Sequence, residues 1–374
     1  LSGLYLHIPF CKQACSYCDF YFVTRTSERE HFVQSLLDEI QGYQNTPYAE
    51  ESVSTVYFGG GTPSLLEPKQ VEQIMNALER TFTLDLEEIT FEMNPDDVTR
   101  EFLDAIKDIG INRASMGVQS FQPELLEFMH RAHSSEEALQ CLELLHSSGF
   151  QTYTVDLIYG NPGQTLGQLK NDLDQLLEFD PPHVSAYSLT IESGTRLGKQ
   201  VDLGRIAPPE DDNVAEHFDL INERLGEQGI RRYEVSNYSK PGKEAVHNSN
   251  YWRHHNYIGF GPGAHSFWWD EEAIRWEQEK DLRAYLRGKA ERTEEKLMHE
   301  QLAEERLMLG LRTRWGVSEQ ELKERYRYEL SEKQRTYLQE CVEEDKLEWD
   351  DCIVLTDQGI KIADAIILDL VTLH

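Results

Sequence analysis

Short β-rich runs alternate with amphipathic helical stretches through the first half of the chain. Runs rich in Val, Ile, Tyr, Phe and Thr fall at residues 4–8, 53–58, 89–93, 113–118, 152–159 and 184–190, and each predicts a strand. Between them apolar residues recur at helical spacing: Phe32, Leu36, Leu37 and Ile40; Val71, Ile74, Met75 and Leu78; Phe102, Ala105, Ile106 and Ile109. Ser27 before Glu30, and Ser134-Ser135-Glu136-Glu137, read as helix starts, and Gly110 and Gly149 read as helix ends. Six strand–helix alternations predict a parallel α/β sheet, wound as an open sheet or a barrel; six units are too few for a complete eightfold barrel.

In either form, chemistry belongs at the C-terminal ends of the strands. Polar or glycine-rich positions recur there: Cys11 after the first run, Gly59-Gly60-Gly61-Thr62-Pro63 after the second, Glu92 and Asn94, Gln119, then Asp156 with Tyr159-Gly160. Side chains of this kind at one end of successive strands predict a shared site.

The texture changes twice more. Residues 206–288 are less regular, with a helix predicted over 212–225, the segment Arg231-Arg232-Tyr233-Glu234-Val235, and an aromatic, His-rich stretch over 246–269. Residues 289–374 predict helices over 300–311, 318–326 and 332–343, a short β-rich wing at 347–349 and 352–355, and a last helix. This is the order of a small winged-helix-like α+β domain, in which acidic residues outnumber basic ones, so a packing or lid role is expected rather than DNA reading.

Charge narrows the partners. Lys plus Arg is 36 and Asp plus Glu is 67, a net charge of −31, which repels nucleic-acid backbones and anionic lipid surfaces. No apolar run approaches a membrane span, and the first residues lack the basic and apolar regions of a signal peptide. Residue 1 is not Met, so a short preceding piece is expected. Three of the six cysteines are scattered and three are crowded into eight residues, a distribution that fits a reducing cytoplasm better than a disulfide framework.

The crowded three, Cys11, Cys15 and Cys18, form C-x-x-x-C-x-x-C. Structural zinc wants a fourth ligand, and no Cys or His follows closely. Three thiolates on four irons leave one iron open to a small molecule. The spacing, just after a first strand, resembles the radical S-adenosylmethionine (SAM) superfamily, which implies a partial (β/α)6 TIM-like barrel. There a [4Fe-4S] cluster chelates SAM, and an electron from it releases a 5′-deoxyadenosyl radical. Tyr5-Leu6-His7-Ile8-Pro9-Phe10-Cys11, Gly59-Gly60-Gly61-Thr62-Pro63-Ser64, Ser115-Met116-Gly117-Val118-Gln119-Ser120, Asp156-Leu157-Ile158-Tyr159-Gly160 and Gly259-Phe260-Gly261-Pro262-Gly263-Ala264 together are similar to the oxygen-independent coproporphyrinogen III oxidase family.

That resemblance implies roles. Cys11, Cys15 and Cys18 would hold the cluster. Tyr5 would contact SAM beside it, and Phe20 would pack on the adenine. Gly60, Gly61 and Thr62 would offer backbone groups to the amino end, with Glu92 bonding the same end. Gln119 and Asp156 would bind the ribose hydroxyls, and Arg131 would neutralise the carboxylate. No catalytic residue is assigned.

One position departs from the oxidase. Oxidases of the family carry a further cysteine two residues after the third, where this chain has Phe20 in Cys18-Asp19-Phe20. The oxidase's N-terminal extension is also expected to be absent. Cys-Asp-Phe resembles the sister HemW group of haem chaperones. So does His247-Asn248-Ser249-Asn250-Tyr251-Trp252, matching the group's H-N-x-x-Y-W haem motif, which implies haem contacts from His247, Asn248, Tyr251 and Trp252. A neutral imidazole can ligate haem iron; His254, His255 and His265 are rival ligands, and His247 could instead only pack the barrel's open edge.

The resemblance thus implies a cytoplasmic radical SAM protein that holds a [4Fe-4S] cluster and SAM. It would carry haem b as cargo to apo-haemoproteins such as respiratory-chain subunits at the membrane. An electron donor would serve the cluster. No nucleic-acid partner is expected, and the chain would be a monomer or a dimer. The alternatives are oxidative decarboxylation of coproporphyrinogen III, a radical methyltransferase, and an iron–sulfur protein that never cleaves SAM.

Overall fold

The computed structural model describes residues 2–373. Six strands follow the predicted runs: β1 (Ser2–Ile8), β2 (Val53–Gly60), β3 (Leu84–Met93), β4 (Arg113–Gln119), β5 (Thr152–Tyr159) and β6 (His183–Ser188). They pair in parallel and in chain order. The sheet then grows at both edges. β7 (Arg231–Arg232) and β8 (Asn237–Ser239) add to β6, and β9 (Tyr257–Phe260) pairs in parallel with β1. β10 (His265–Trp269), β11 (Ala273–Gln278) and β12 (Arg292–Leu297) extend that side as an antiparallel meander. Among the described residues this is one open sheet of twelve strands, ending in β12 and β7. The aromatic stretch read as irregular therefore supplies two strands, β9 and β10.

Alternation along the strands sorts two faces. Leu4, Leu6, Ile8, Val56, Phe58, Phe91, Met116 and Val155 are buried under the crossover helices. Those helices are amphipathic, and Leu36, Ile40, Val71, Ile74 and Leu78 face the sheet. In the helix Arg100–Asp108 the buried side chains are Leu103 and Ile106; Phe102 and Ala105 are only half-buried, so the face is turned from the predicted one. The opposite face of the strands carries Tyr5, His7, Tyr57, Glu88, Glu92, Arg113, Ser115 and Asp156, so polar side chains line the inside of the curved sheet.

Helix ends follow the sequence signals in part. Ser134 and Glu137 form a reciprocal capping box, and Gly149 takes the left-handed C-cap at φ 75°. Ser27 caps nothing; a 3-10 turn, Thr26–Glu28, precedes the helix Arg29–Gly42. After β12 come the helices His299–Gly310, Glu319–Tyr326 and Glu332–Glu343, the hairpin β13 (Leu347–Trp349) and β14 (Ile353–Leu355), and the helix Ala363–Thr372. No helix among the described residues is long and apolar enough to cross a membrane.

Candidate functional site

The chain leaves β1 through Phe10, which is fully buried edge-on against Phe32 with ring centroids 5.3 Å apart. Val23 returns beside it: Cys11 N–H donates to Val23 O (3.0 Å) and Val23 N–H to Pro9 O (2.7 Å). Residues 11–22 are thus a lobe closed at its neck. Its far side is held too, by Ser16 hydrogen bonds to Met129 O and Phe128 O and by Lys12 ion pairs to Asp96 and Asp97.

Cys11, Cys15 and Cys18 are half-buried free thiols on this lobe. Burial pushes Cys11 up to about 12 and Cys18 up to about 11. A cationic inorganic centre is what would hold such buried sulfurs as thiolates. Donors already aim at two of them: the Thr62 hydroxyl at Cys11 Sγ (3.6 Å) and Arg131 Nη1 at Cys15 Sγ (3.4 Å). Among the described residues no group of three or more His, Cys, Asp or Glu side chains is set to hold a single metal ion. The lobe's fit to an iron–sulfur cluster rests on its three thiols and the donors directed at them.

Glycine is required where β2 ends. Gly60 has φ +104°, and a Cβ there would lie 2.7 Å from the His7 ring; a Cβ on Gly61 would lie 2.7 Å from both Ile8 O and Phe10 O. The backbone of the second strand therefore lies directly against the exit of the first. Thr62 is buried and accepts from Asn94 Nδ2 (3.1 Å).

Several of the polar residues singled out in the sequence make buried contacts here. Glu92 accepts from the Tyr57 hydroxyl (2.7 Å) and from Gly60 N–H (3.2 Å), and burial raises it to about 7. Asp156 accepts from the Ser115 hydroxyl (3.3 Å), and burial raises it to about 6. Gln119 sits at φ +70°, and its Oε1 is buried without a hydrogen-bond partner. A strained non-glycine residue and an orphaned acceptor are features of a site that a ligand completes. Arg131 donates to Asn94 Oδ1 (2.6 Å) and Gly117 O (2.7 Å), while its Nε is buried and unpartnered.

A cavity of about 740 Å³ opens between this end and the aromatic segment. Tyr5, Phe20, Gly60, Glu92, His247, Asn248 and Tyr251 share its wall. Phe20 is 68% exposed on this wall. Gly61, Thr62 and Gln119 at the strand ends, Asp156 within β5 and Arg131 in the loop after the helix Pro123–Phe128 are off that wall, and Trp252 lines a neighbouring cavity of about 400 Å³ with Asn248 and Tyr251.

His247 lies on the helix Val246–Trp252, whose first two N–H groups donate to Glu88 Oε2 (3.0 Å) and Oε1 (2.9 Å). Glu88 is itself paired with buried Arg113 at 3.4 Å. A carboxylate at a helix N-terminus satisfies the free donors there. His247 is 1% exposed. Its Nδ1 is 2.8 Å from the Thr55 hydroxyl and its Nε2 is 2.7 Å from the Tyr251 hydroxyl. Burial lowers it to about 3, so the ring is neutral with both nitrogens engaged.

Sequence reasoning missed several wall residues. Tyr57 and His7 are the inward partners of positions already singled out, and the two-residue period of β1 and β2 could have found them. Glu305, Met308 and Leu309 reach the cavity from the C-terminal region, with no local signal.

Residues 5–176 match the Radical SAM superfamily and residues 297–362 the HemN C-terminal domain. The heme chaperone HemW of Lactococcus lactis is 34% identical over 372 residues, 97% of this chain and 95% of that protein. HemW of Bacillus subtilis is 34% identical over 333 residues, 87% of each. The solved structure of coproporphyrinogen III oxidase (HemN) from Escherichia coli superposes with a TM-score of 0.83 at 21% identity, over 99% of this chain and 90% of that one, which shows a shared fold. The chain belongs to the HemW family of the radical SAM superfamily, whose members imply a [4Fe-4S] cluster and SAM.

Proposed function

We propose that this chain is a radical SAM haem chaperone. Cys11, Cys15 and Cys18 hold the cluster, the strand-end residues hold SAM, and the 740 Å³ cavity takes haem b for delivery to apo-haemoproteins. One observation carries the reading: a single cavity joins the cluster lobe at Phe20, the inner strand face at Tyr5, Gly60 and Glu92, and the motif helix at Asn248 and Tyr251. The names of the HemW relatives support the cargo.

The bound cluster and SAM supply one-electron reduction and a carbon-centred radical. The chain's own residues do the rest. The Gly60–Gly61 turn brings backbone within reach of a ligand. Glu92 offers an acceptor to an ammonium group, and Gln119 Oε1 and Asp156 offer acceptors to hydroxyls. Arg131 Nε offers a donor to a carboxylate. Tyr5, Tyr57, Tyr257 and Phe267 present ring surface suited to a porphyrin. In this reading residues 1–205 hold cluster and SAM, 206–288 carry the cargo segment, and 289–374 close the cavity. The acceptors are respiratory subunits reached at the membrane from the cytoplasm, and an electron donor serves the cluster.

The experiment is anaerobic. Reconstituted protein is given SAM and dithionite, and then either coproporphyrinogen III or haem with an apo-b-type cytochrome. Haem transfer without formation of protoporphyrinogen is expected. Turnover of coproporphyrinogen with no transfer would overturn the reading in favour of the oxidase.

A further inference from the structure

A second groove, of about 560 Å³, lies against the neck of the cluster lobe. Tyr21, Val23 and Arg25 of the returning chain form one side of it, and the short helix Leu282–Leu286 with its flanks forms the other. Arg25, Arg283 and Arg287 rim it, all three exposed and none in an ion pair among the described residues. Half-buried Val23 and Leu286 give it an apolar floor.

Charge sets this face apart. Residues 281–289 carry three cations and one carboxylate in a chain whose net charge is −31. That carboxylate, Asp281, is occupied: its Oδ1 accepts from Arg283 N–H (2.7 Å) and Ala284 N–H (3.1 Å). The groove's other carboxylate, Glu28, lies 4.0 Å from His31 Nδ1. An apolar floor inside a rim of unpaired arginines has the anatomy of a protein-docking surface, and its sign selects an acidic partner. Connectivity then sets the partner's task. Val23 O accepts from Cys11 N–H (3.0 Å), so the groove floor is one hydrogen bond from a cysteine of the lobe. Tyr21 stands three residues beyond Cys18, and its hydroxyl accepts from Leu282 N–H (2.7 Å), which ties the arginine-bearing helix to the same neck. A partner seated there reaches the lobe without entering the cavity assigned above to the cargo.

We infer that this groove docks the protein that reduces the cluster, a small acidic one-electron carrier. The inference rests on the cluster reading above. The carrier's flavin or iron–sulfur group is oxidised by one electron and the cluster is reduced by one. No bond is made or broken, and no proton moves through this chain.

The test uses the full chain with its cluster reconstituted and, as donors, reduced flavodoxin and reduced plant-type ferredoxin. The rise of the reduced cluster's EPR signal is followed after rapid freezing. Wild type is expected to be reduced by a carrier at a rate that falls with added salt. Arg25→Glu, Arg283→Glu and Arg287→Glu combined are expected to slow that step about tenfold and to flatten its salt dependence. Dithionite, too small to need docking, should reduce the triple variant and wild type alike. Lys170→Glu, exposed on the crossover helix Leu166–Leu177 between β5 and β6, should match wild type. Calorimetry of oxidised flavodoxin with the cluster-free chain should show the triple variant binding about tenfold more weakly. An unchanged rate and affinity in the triple variant, an equal loss in Lys170→Glu, or a wild type that dithionite reduces but neither carrier binds or reduces would overturn the inference. So would a wild-type dimer that the triple variant splits into monomers, since the groove would then join two copies of this chain. A wild type that takes up no cluster would instead sink the cluster reading itself.

Discussion

At Glu92, burial under Tyr5 and Tyr57 raises the carboxyl to about 7, and Asp156 adds to the rise while the Tyr57 hydroxyl and Gly60 N–H pull it back. The folded value lies above the ordinary glutamate value, so the ligand-free folded state holds a proton that the unfolded chain releases. Stability from this group is full at pH values below about 4 and is lost as pH rises through 7. Glu92→Gln is therefore expected to stabilise the ligand-free protein at pH 8 by about 2–3 kcal/mol in urea unfolding. If Glu92 holds the SAM ammonium as proposed, the same change is expected to weaken SAM and to flatten the fall of SAM affinity below pH 7. Calorimetric titration at several pH values checks both. Glu92 was legible in sequence because it ends a strand. Its setting was not, because the register that sets Tyr57 opposite Thr90, two residues before Glu92, is what brings the tyrosine hydroxyl to its carboxylate, and register is invisible without knowing which strands are adjacent.

The helix Val246–Trp252 shows the same division at the next scale. Residues 247–252 were legible as a motif but not as an element, since so short a segment carries no period. The aromatic supply around it was read as irregular, yet Tyr257 and Phe267 sit on strands because β9 finds the free edge of β1. By contrast the runs that became β1–β6 were legible, because burial on one face and a polar site on the other leave a two-residue alternation. What fixes the helix is the buried pair Glu88–Arg113, with side chains 5% and 2% exposed. Arg113 also donates to Thr154 and to Lys243 O. Removing one partner of such a pair leaves the other charge buried. Arg113→Met is expected to cost about 3–5 kcal/mol, and adding Glu88→Gln should recover part of it, because the neutral amide removes the stranded charge and its one oxygen can still accept from one of the two helix N–H groups. Unfolding curves of the single and double variants measure the difference.

For the whole molecule, net charge, the two texture changes and a packing or lid role for the tail were read from the sequence, but which tail residues reach the cavity was not. That depends on contacts between distant segments. Arg306, 8% exposed on the helix His299–Gly310, donates to Trp252 O (3.4 Å), to Gly316 O (3.1 Å) and to both oxygens of Glu321 (3.1 Å each). One guanidinium thus ties the end of the motif helix to the first two helices of the tail, a task suited to a planar fork of donors. On the same helix Glu305 reaches Arg275 and His254, and Met308 and Leu309 face the cavity. If the tail holds the cavity shut, cutting the tie should loosen both ends together. Arg306→Met keeps most of the volume and removes the donors, at an expected cost of about 2–4 kcal/mol from the stranded carbonyls and carboxylate. Hydrogen exchange should then quicken in residues 246–252 as well as 299–310, and bound haem should leave faster while β1–β6 stay protected. Quickening confined to 299–310 would mean that the tail packs on the cavity without controlling it.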